Sequence, residues 1–230
     1  MKKILLIILV MTTLSSCYTT TYFINGKYQL EETRSTHAPS NINSNNNFYS
    51  DDFVTLIPEI VEYQIVLTII NNHNSTIRIP WDDAAYVDNQ GSTHRVIHMG
   101  VKLVDKEKAQ VPTIIPAGAR LDDVVVPSDG IELVNGIWIN RPLFNNEFSD
   151  EESAKNTLER YRTTPYYTKF HLLLPIEIDN KRIEYTLTFR GREFNIQSVE
   201  ISNPNGSIKP VFAITGIFGI ILSVALGILL

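Results

Sequence analysis

The amino-acid sequence predicts a mainly β protein, an antiparallel immunoglobulin-like β-sandwich with one short inserted helix. Between residues 53 and 202, short runs rich in β-branched and aromatic residues alternate with polar positions. Clusters of Asn, Asp, Gly and Pro separate these runs, as expected of tight turns. Helical periodicity is scarce in the same region, and this combination is typical of a sandwich. A signal segment and a transmembrane helix are predicted to flank the domain.

The amino terminus, MKKILLIILVMTTLSSC, has the layout of a bacterial export signal. Lys2 and Lys3 precede an apolar run that is too short to span a bilayer as a helix. Leu14 to Cys17 reads Leu-Ser-Ser-Cys and resembles the lipobox of bacterial lipoproteins. The resemblance implies that residues 1–16 are removed and that Cys17 carries acyl chains, palmitate among them. The alternative is an unmodified thiol.

Cys17 is the only cysteine of the chain. The chain therefore forms no intramolecular disulfide and no cysteine-based zinc site. Two or more acyl chains hold a protein stably on a membrane, at about 0.8 kcal/mol per buried CH₂ group. This anchoring gives the single cysteine a function.

Residues 17–52 are predicted to form the lipidated amino terminus and a tether. Residues 18–32 contain strand-like residues that could pair as a first strand. Residues 33–52 are rich in Asn and Ser and poor in apolar residues, which predicts a flexible segment. The alternative for this segment is a long loop.

The predicted sandwich covers residues 53–202. Its expected strands are residues 61–70, 77–80, 84–87, 93–98, 122–127, 168–178, 182–190 and 192–201, with turns at 71–74, 88–91, 116–118 and 179–181. One helix is expected from Asp150 to Tyr161, with Ser149 as its N-cap and Glu152 completing a capping box. This helix is expected to be a polar, exposed insertion.

Two runs of the sequence resemble a group of uncharacterised bacterial envelope lipoproteins. They are INNHNSTIRIPWDDAAYVDNQGSTHRVIHMGV (70–101) and VPTIIPAGARLDDVVVP (111–127). The shared features are an Asn-rich turn, a Trp-Asp pair, a Tyr-x-Asp turn and an Arg-Val-Ile-His-x-Gly-Val stretch. The likeness covers residues 60–145 and the hairpin at 168–190. It implies a lipobox followed by a sandwich, and it implies no activity.

A transmembrane helix is predicted for residues 210–230. Residues 211–230 contain no charged side chain and are long enough to cross about 30 Å of hydrocarbon. Thr215, Gly219, Ser223 and Gly227 recur every four residues and form a stripe of small side chains. Such stripes let transmembrane helices pack closely, so the stripe predicts contact with a membrane-protein partner or a second copy. The alternative for the segment is a buried core helix.

The polar residues of the domain do not form a recognisable metal site. His94 and His98 lie on one predicted strand, so their side chains are about 13 Å apart and do not share one ion. Asp82, Asp83, Asp88 and Asn89 offer calcium ligands, but their spacing differs from that of an EF-hand loop. Adjacent Asp122 and Asp123 are expected on opposite faces of a strand. We therefore predict no metal and no cofactor.

The two tryptophans are the candidate recognition residues. Trp81 is expected in the core of the sandwich, with an exposed recognition role as the alternative. Trp138 lies in the apolar run NGIWINRPLF. It is expected either to close one end of the sandwich or to form an exposed apolar patch that marks a partner surface.

These observations predict a non-catalytic lipoprotein of the bacterial cell envelope. The net charge is −5 and no Lys/Arg-rich block is present, which argues against a nucleic-acid partner. The chain lacks the common phosphate-loop, nucleophile-elbow and zinc-protease motifs. The domain is expected to bind or brace a partner, facing the periplasm or the exterior, with its anchors in the cytoplasmic rather than the outer membrane. The alternatives are a calcium- or glycan-binding module and an envelope hydrolase.

Overall fold

The computed structural model describes residues 18–37, 42–43, 47–61, 63–143 and 146–202. The predicted signal peptide, the lipidation site Cys17 and the predicted helix 210–230 with its stripe Thr215, Gly219, Ser223 and Gly227 lie outside these residues. Within them, no helix has the length and apolar character that membrane crossing requires.

The regular structure of the described residues consists of β-strands, most of them short, four 3₁₀ turns and one α-helix. The strands are β1 (Tyr18–Ser35), β2 (Ile42–Asn43), β3 (Phe48–Ser50), β4 (Val54–Val61), β5 (Gln64–Asn71), β6 (Ile77–Ile79), β7 (Ala85–Val87), β8 (Thr93–His98), β9 (Thr113–Ile115), β10 (Arg120–Pro127), β11 (Ile131–Val134), β12 (Ile137–Asn140), β13 (Glu147–Phe148), β14 (Lys169–Ile178) and β15 (Lys181–Ser202). The helix α1 (Glu151–Thr163) lies between β13 and β14.

All the strand pairs are antiparallel. The hydrogen-bonded order runs β13-β1-β15-β14-β7-β8-β10-β5-β4-β3-β2, with β6 beside β14, β9 beside β6, and β11–β12 as a separate hairpin. Strand β8 pairs with β7 through Arg95 and with β10 through His98. A strand that leaves one sheet and enters another forms a corner of a two-layer β structure. The prediction of a mainly β, antiparallel protein with one helix is confirmed.

The core lies between the two layers. Leu67 and Ile69 of β5 and Leu172 and Leu174 of β14 are fully buried, and these strands alternate buried and more exposed positions. Alternation of this kind places every second side chain on one face of a sheet. Burial of each such side chain stabilises the fold by about 1.5–3 kcal/mol, so the inner faces hold the two layers together.

Residues 33–52, predicted to form a flexible tether, contribute to the domain where the structure describes them. Strand β1 pairs with β15 from Tyr18 to Ser35. Beyond it, Tyr49 of β3 is fully buried and its ring contacts Tyr185 of β15, with ring centroids 5.8 Å apart. The domain therefore begins well before the predicted boundary at Phe53, and the expected first strand is real.

The predicted helix is present, but its cap and surroundings differ from expectation. Asp150, rather than Ser149, is the N-cap, and its side chain accepts a hydrogen bond of 2.8 Å from the backbone N–H of Ser153. Leu158 and Tyr161 are buried, together with Ala154. They pack against the strands β1 and β15, so the helix is amphipathic rather than a polar exposed insertion.

Candidate functional site

A cleft of about 460 Å³ opens between helix α1 and the hairpin of β7 and β8. We call it the histidine cleft and define it by residues at its wall: Asp88, His94, Asp129, Arg141, Arg160 and Tyr167. Four separate parts of the chain supply these residues: the β7–β8 hairpin with its turn, the turn after β10, the segment after β12, and the end of α1 with the loop that follows it. The cleft is therefore a product of the fold.

His94 lies between two carboxylates. Its Nδ1 is 2.6 Å from Oδ2 of Asp129, and its Nε2 is 3.3 Å from Oδ2 of Asp88. Burial alone would lower the pKa of His94, but the hydrogen bonds and charges of Asp129 and Asp88 outweigh it and raise that pKa. The arrangement favours an imidazolium that donates from both nitrogens. Such a ring has no free nitrogen with which to accept a proton.

The turn after β7 fixes the position of Asp88. Its Oδ1 accepts hydrogen bonds of 2.8 Å from the backbone N–H groups of Gln90 and Ser92. Burial alone would raise the pKa of Asp88. The hydrogen bonds from these backbone N–H groups and the contact with His94 outweigh burial, so the pKa of Asp88 is lowered. Gly91 has φ of +88°, which a side chain would disfavour. The predicted turn at residues 88–91 thus presents an ionised carboxylate to His94.

The opposite wall of the histidine cleft joins a cation to an aromatic ring. The guanidinium of Arg160 lies 5.0 Å from the ring centroid of Tyr167. The side-chain amide of Asn89 donates to the carbonyl of Tyr167 at 2.8 Å and holds that loop against the β7–β8 turn. Arg141 pairs with Glu132 at 2.8 Å. Arg160 has no carboxylate within 4 Å in the described chain, so its charge is directed to solvent or to a ligand.

The two predicted candidates on β8 have separate partners. His98 Nδ1 is 3.0 Å from Oδ2 of the buried Asp123, and its ring stacks on Trp81 with centroids 4.5 Å apart. Asp122, the neighbour of Asp123, instead faces solvent and pairs with Arg120. Strand β8 thus carries His94 in an open cleft, where it contacts Asp88 and Asp129, and His98 in a buried contact with Asp123.

Trp81 belongs to the core. Its side chain is fully buried, and its Nε1 donates a 2.8 Å hydrogen bond to Oγ1 of Thr113 on β9. This is the placement that the sequence favoured. Trp81 offers no surface to a partner.

Trp138 is only partly buried. It pairs with Leu133 across the β11–β12 hairpin and packs on the cluster of Ile97 and Val126. The neighbouring side chains Leu133 and Ile137 are 56% and 57% exposed. The hairpin therefore covers a small cluster on one side and presents apolar side chains to solvent on the other.

The candidate calcium ligands do not converge. Asp82 pairs with Arg95 and Asp83 pairs with Arg182, each at 2.6 Å, while Asp88 faces His94 and Asn89 holds Tyr167. Across the residues that the structure describes, no group of three or more His, Cys, Asp or Glu side chains is placed to hold a metal ion. These residues stabilise turns and bridge strands.

Sequence reasoning named Asp88 and His94 but missed Asp129, Arg160 and Tyr167. No motif links these residues, because they lie 35 or more positions from His94 and meet it only in the folded chain. Comparison of the chain with protein-family models, with curated proteins and with solved structures finds no match.

Proposed function

We propose that the protein is a lipoprotein of the bacterial cell envelope, anchored at both ends in one membrane, whose domain binds a partner without catalysing a reaction. One observation carries the proposal: Tyr18 pairs with Ser202 in the antiparallel ladder of β1 and β15. Directly paired Cα atoms in such a ladder are about 4.5–5.5 Å apart. The expected lipid site, Cys17, immediately precedes one of these residues, and the expected transmembrane segment follows the other.

This pairing makes a double anchor geometrically simple. A chain that enters and leaves its domain at one point can be fixed to one membrane at both termini without strain on the fold. The lipobox resemblance favours export. The uncharged segment 211–230 favours the cytoplasmic membrane, because outer-membrane proteins cross as β-barrels and a spanning helix, once inserted, stays in its membrane. The domain would then face the periplasm or the exterior.

The proposal includes an immunoglobulin-like arrangement of the sandwich. Antiparallel pairing throughout, a strand that passes between the two layers and an alternating core support it. The inserted helix α1 and the long strands β1 and β15 are additions to that plan.

Binding without catalysis is supported by the histidine cleft. Both nitrogens of His94 contact carboxylates, which disfavours a role as a general base. Arg160 and Tyr167 present a cation and an aromatic ring to the same space, a combination suited to holding a ligand. The partner would meet the domain here and would meet the helix 210–230 along its small-residue stripe.

Lipid labelling tests the anchor. Cells that express the full chain are supplied with radiolabelled palmitate, and the protein is then immunoprecipitated. We expect label on the wild type and none on Cys17→Ala, because an alanine lacks the sulfur that the thioether needs. Ser92→Ala, a change at an exposed position inside the domain, is the control and should keep the label. Label on Cys17→Ala, or an unlabelled wild type, would contradict lipidation at this residue.

Crosslinking in intact membranes tests the partner. The tagged full chain is compared with Gly219→Leu/Gly227→Leu, which fills the stripe, and with Gly216→Leu/Ala225→Leu, which enlarges small residues away from it. We expect a defined membrane protein, or a second copy, to crosslink to the wild type and the off-stripe variant at equal yield. The yield should fall at least fivefold with the stripe variant. Equal capture by all three would show that the helix serves only as an anchor.

A further inference from the structure

A second cleft lies on the other side of Tyr161 and has a different character. It has a volume of about 480 Å³, and we call it the arginine cleft. It is defined by Arg162 at the end of α1 and by Arg190 and Arg192 on β15, with Tyr161 and Phe194 at its aromatic wall. The two aromatic rings have centroids 5.2 Å apart.

Positive charge around the arginine cleft exceeds negative charge. Glu31 is shared by two cations, with Arg190 at 3.0 Å and Lys169 at 2.5 Å. Hydrogen bonds to these two cations outweigh burial and lower the pKa of Glu31, so it remains a single negative charge. Glu193 pairs with Lys27 at 2.5 Å. The lining of the cleft thus holds three arginines and one carboxylate, Glu193, in a chain whose net charge is −5.

Arg162 and Arg192 are the uncompensated cations. Neither has a carboxylate within 4 Å among the residues that the structure describes. Both side chains are exposed, so their guanidinium groups are available to a ligand. Arg190 adds a third guanidinium that is already fixed in position by Glu31.

The arginine cleft lies at an irregularity of the sheet. The ladder of β1 and β15 shifts register between Asn25 and Lys27. Glu193, opposite this bulge, adopts φ of +53°. The ring of Phe194 lies so close to Gly26 and Gly191 that a Cβ atom on either glycine would collide with it. Because Gly26 and Gly191 have no side chains, the ring of Phe194 can pack directly on the backbones of β1 and β15.

We propose that the arginine cleft binds a phosphate group. A phosphoryl group offers three acceptor oxygens and up to two negative charges, which several guanidinium groups can share. A carboxylate offers one charge and two oxygens, and Glu31 already shows that one carboxylate satisfies only part of this cluster. Arginine is also the side chain best suited to bidentate phosphate contacts. A soluble phosphorylated molecule or a lipid headgroup would supply the same group.

Calorimetric titration with inorganic pyrophosphate tests the proposal. The full chain is kept in neutral detergent, and sodium chloride holds the ionic strength constant. We expect saturable binding by the wild type and at least tenfold weaker binding by Arg162→Gln/Arg192→Gln, about 1.4 kcal/mol. Neither arginine holds an internal ion pair, so the variant should melt at the wild-type temperature. Lys102→Gln/Lys181→Gln removes the same charge from exposed sites elsewhere and should bind like the wild type.

The result that overturns the proposal is an arginine variant that binds as tightly as the lysine variant, or a wild type without saturable binding. A second arm separates the two sources of phosphate. The wild type is placed in nanodiscs of phosphatidylcholine, with or without phosphatidylglycerol, at about 0.15 M salt, where surface charge is screened within about 8 Å. Weaker pyrophosphate binding with phosphatidylglycerol identifies a lipid headgroup as the ligand. Binding that is unchanged by phosphatidylglycerol, and as tight as in a phosphate-free neutral detergent, identifies a soluble one.

Discussion

At the residue scale, the protonation of His94 should make the free energy of unfolding depend on pH. The charged groups around it are Asp88, Asp129, Arg141 and Arg160. The two carboxylates raise the pKa of His94 in the folded chain above its ordinary value. The protonated ring therefore stabilises the fold fully below about pH 6.5, the value of an unperturbed histidine, and this stabilisation is lost as pH rises through the raised folded pKa.

Replacement of this residue should reveal that dependence. We expect His94→Gln to lower the free energy of unfolding at about pH 6 by roughly 1–2 kcal/mol, a modest loss because Asp129 is largely exposed. The difference from the wild type should shrink as pH rises toward about 8.5. Denaturant unfolding of the full chain in detergent at a series of pH values measures it.

His171 is a control, because its pKa is shifted in the opposite direction to that of His94. Burial lowers the pKa of His171, and the nearby charges of Lys169 and Arg34 lower it further. The neutral ring is therefore the form that the fold prefers, so the wild type loses stability at this site as pH falls. The difference between the wild type and His171→Gln should not shrink at high pH. A constant difference for His94→Gln across the pH range would show that its two carboxylates do not hold a proton on the ring.

At the scale of elements, strands and turns could be predicted wherever local chemistry determined them. Residues 93–98 form β8 as predicted, since the stretch is rich in strand-forming residues between two turns. The turn at residues 71–74 follows β5 because Asn71 is buried and its amide donates to the carbonyls of Ser75, Ile115 and Pro116. A single asparagine thus ties two turns together, and its residue type was the visible signal.

The described residues of the segment that composition predicts as a flexible tether are ordered within the domain, for a physical reason that composition does not reveal. Asn47 adopts φ of +52°, donates to the carbonyl of Pro58 and accepts from the N–H of Leu30 at 2.6 Å. Asp51 accepts from the hydroxyls of Tyr49 and Tyr185 at 3.0 Å each. Polar residues that suggest a flexible linker are here fixed by partners from distant strands, and only the fold supplies those partners.

At the scale of the whole molecule, the two clefts could not be predicted, because each combines residues from separate elements. Asp129, Arg160 and Arg192 are ordinary exposed charges in the sequence, and no spacing sets them apart. The long pairing of β1 with β15 gives α1 a surface on which to pack. Once α1 is fixed there, Arg160 borders one cleft and Arg162 the other. The position of one helix therefore determines both sites.

The same pairing defines the ribbon that carries the predicted anchors. Residues 18–25 pair with residues 195–202, and eight residues of strand extend about 27 Å. Helix α1 packs near the far end of this ribbon, where Ile24 contacts Leu158 and Tyr161. With the proposed anchors in place, the domain would be carried on a two-stranded support rather than on a flexible coil.

Cysteine pairs test the register of the ribbon. Tyr22 lies directly opposite Ser198, so the Cβ atoms of Tyr22→Cys/Ser198→Cys should be about 5 Å apart, close to disulfide geometry. In Tyr22→Cys/Asn195→Cys the second cysteine is three residues away along β15, about 10 Å, and faces the other side. If Cys17 is acylated as proposed, mild oxidation of membranes followed by labelling of free thiols should show a disulfide in the first variant and free thiols in the second. Equal oxidation of both would contradict the register, and with it the inference that the two anchors leave the domain at one point.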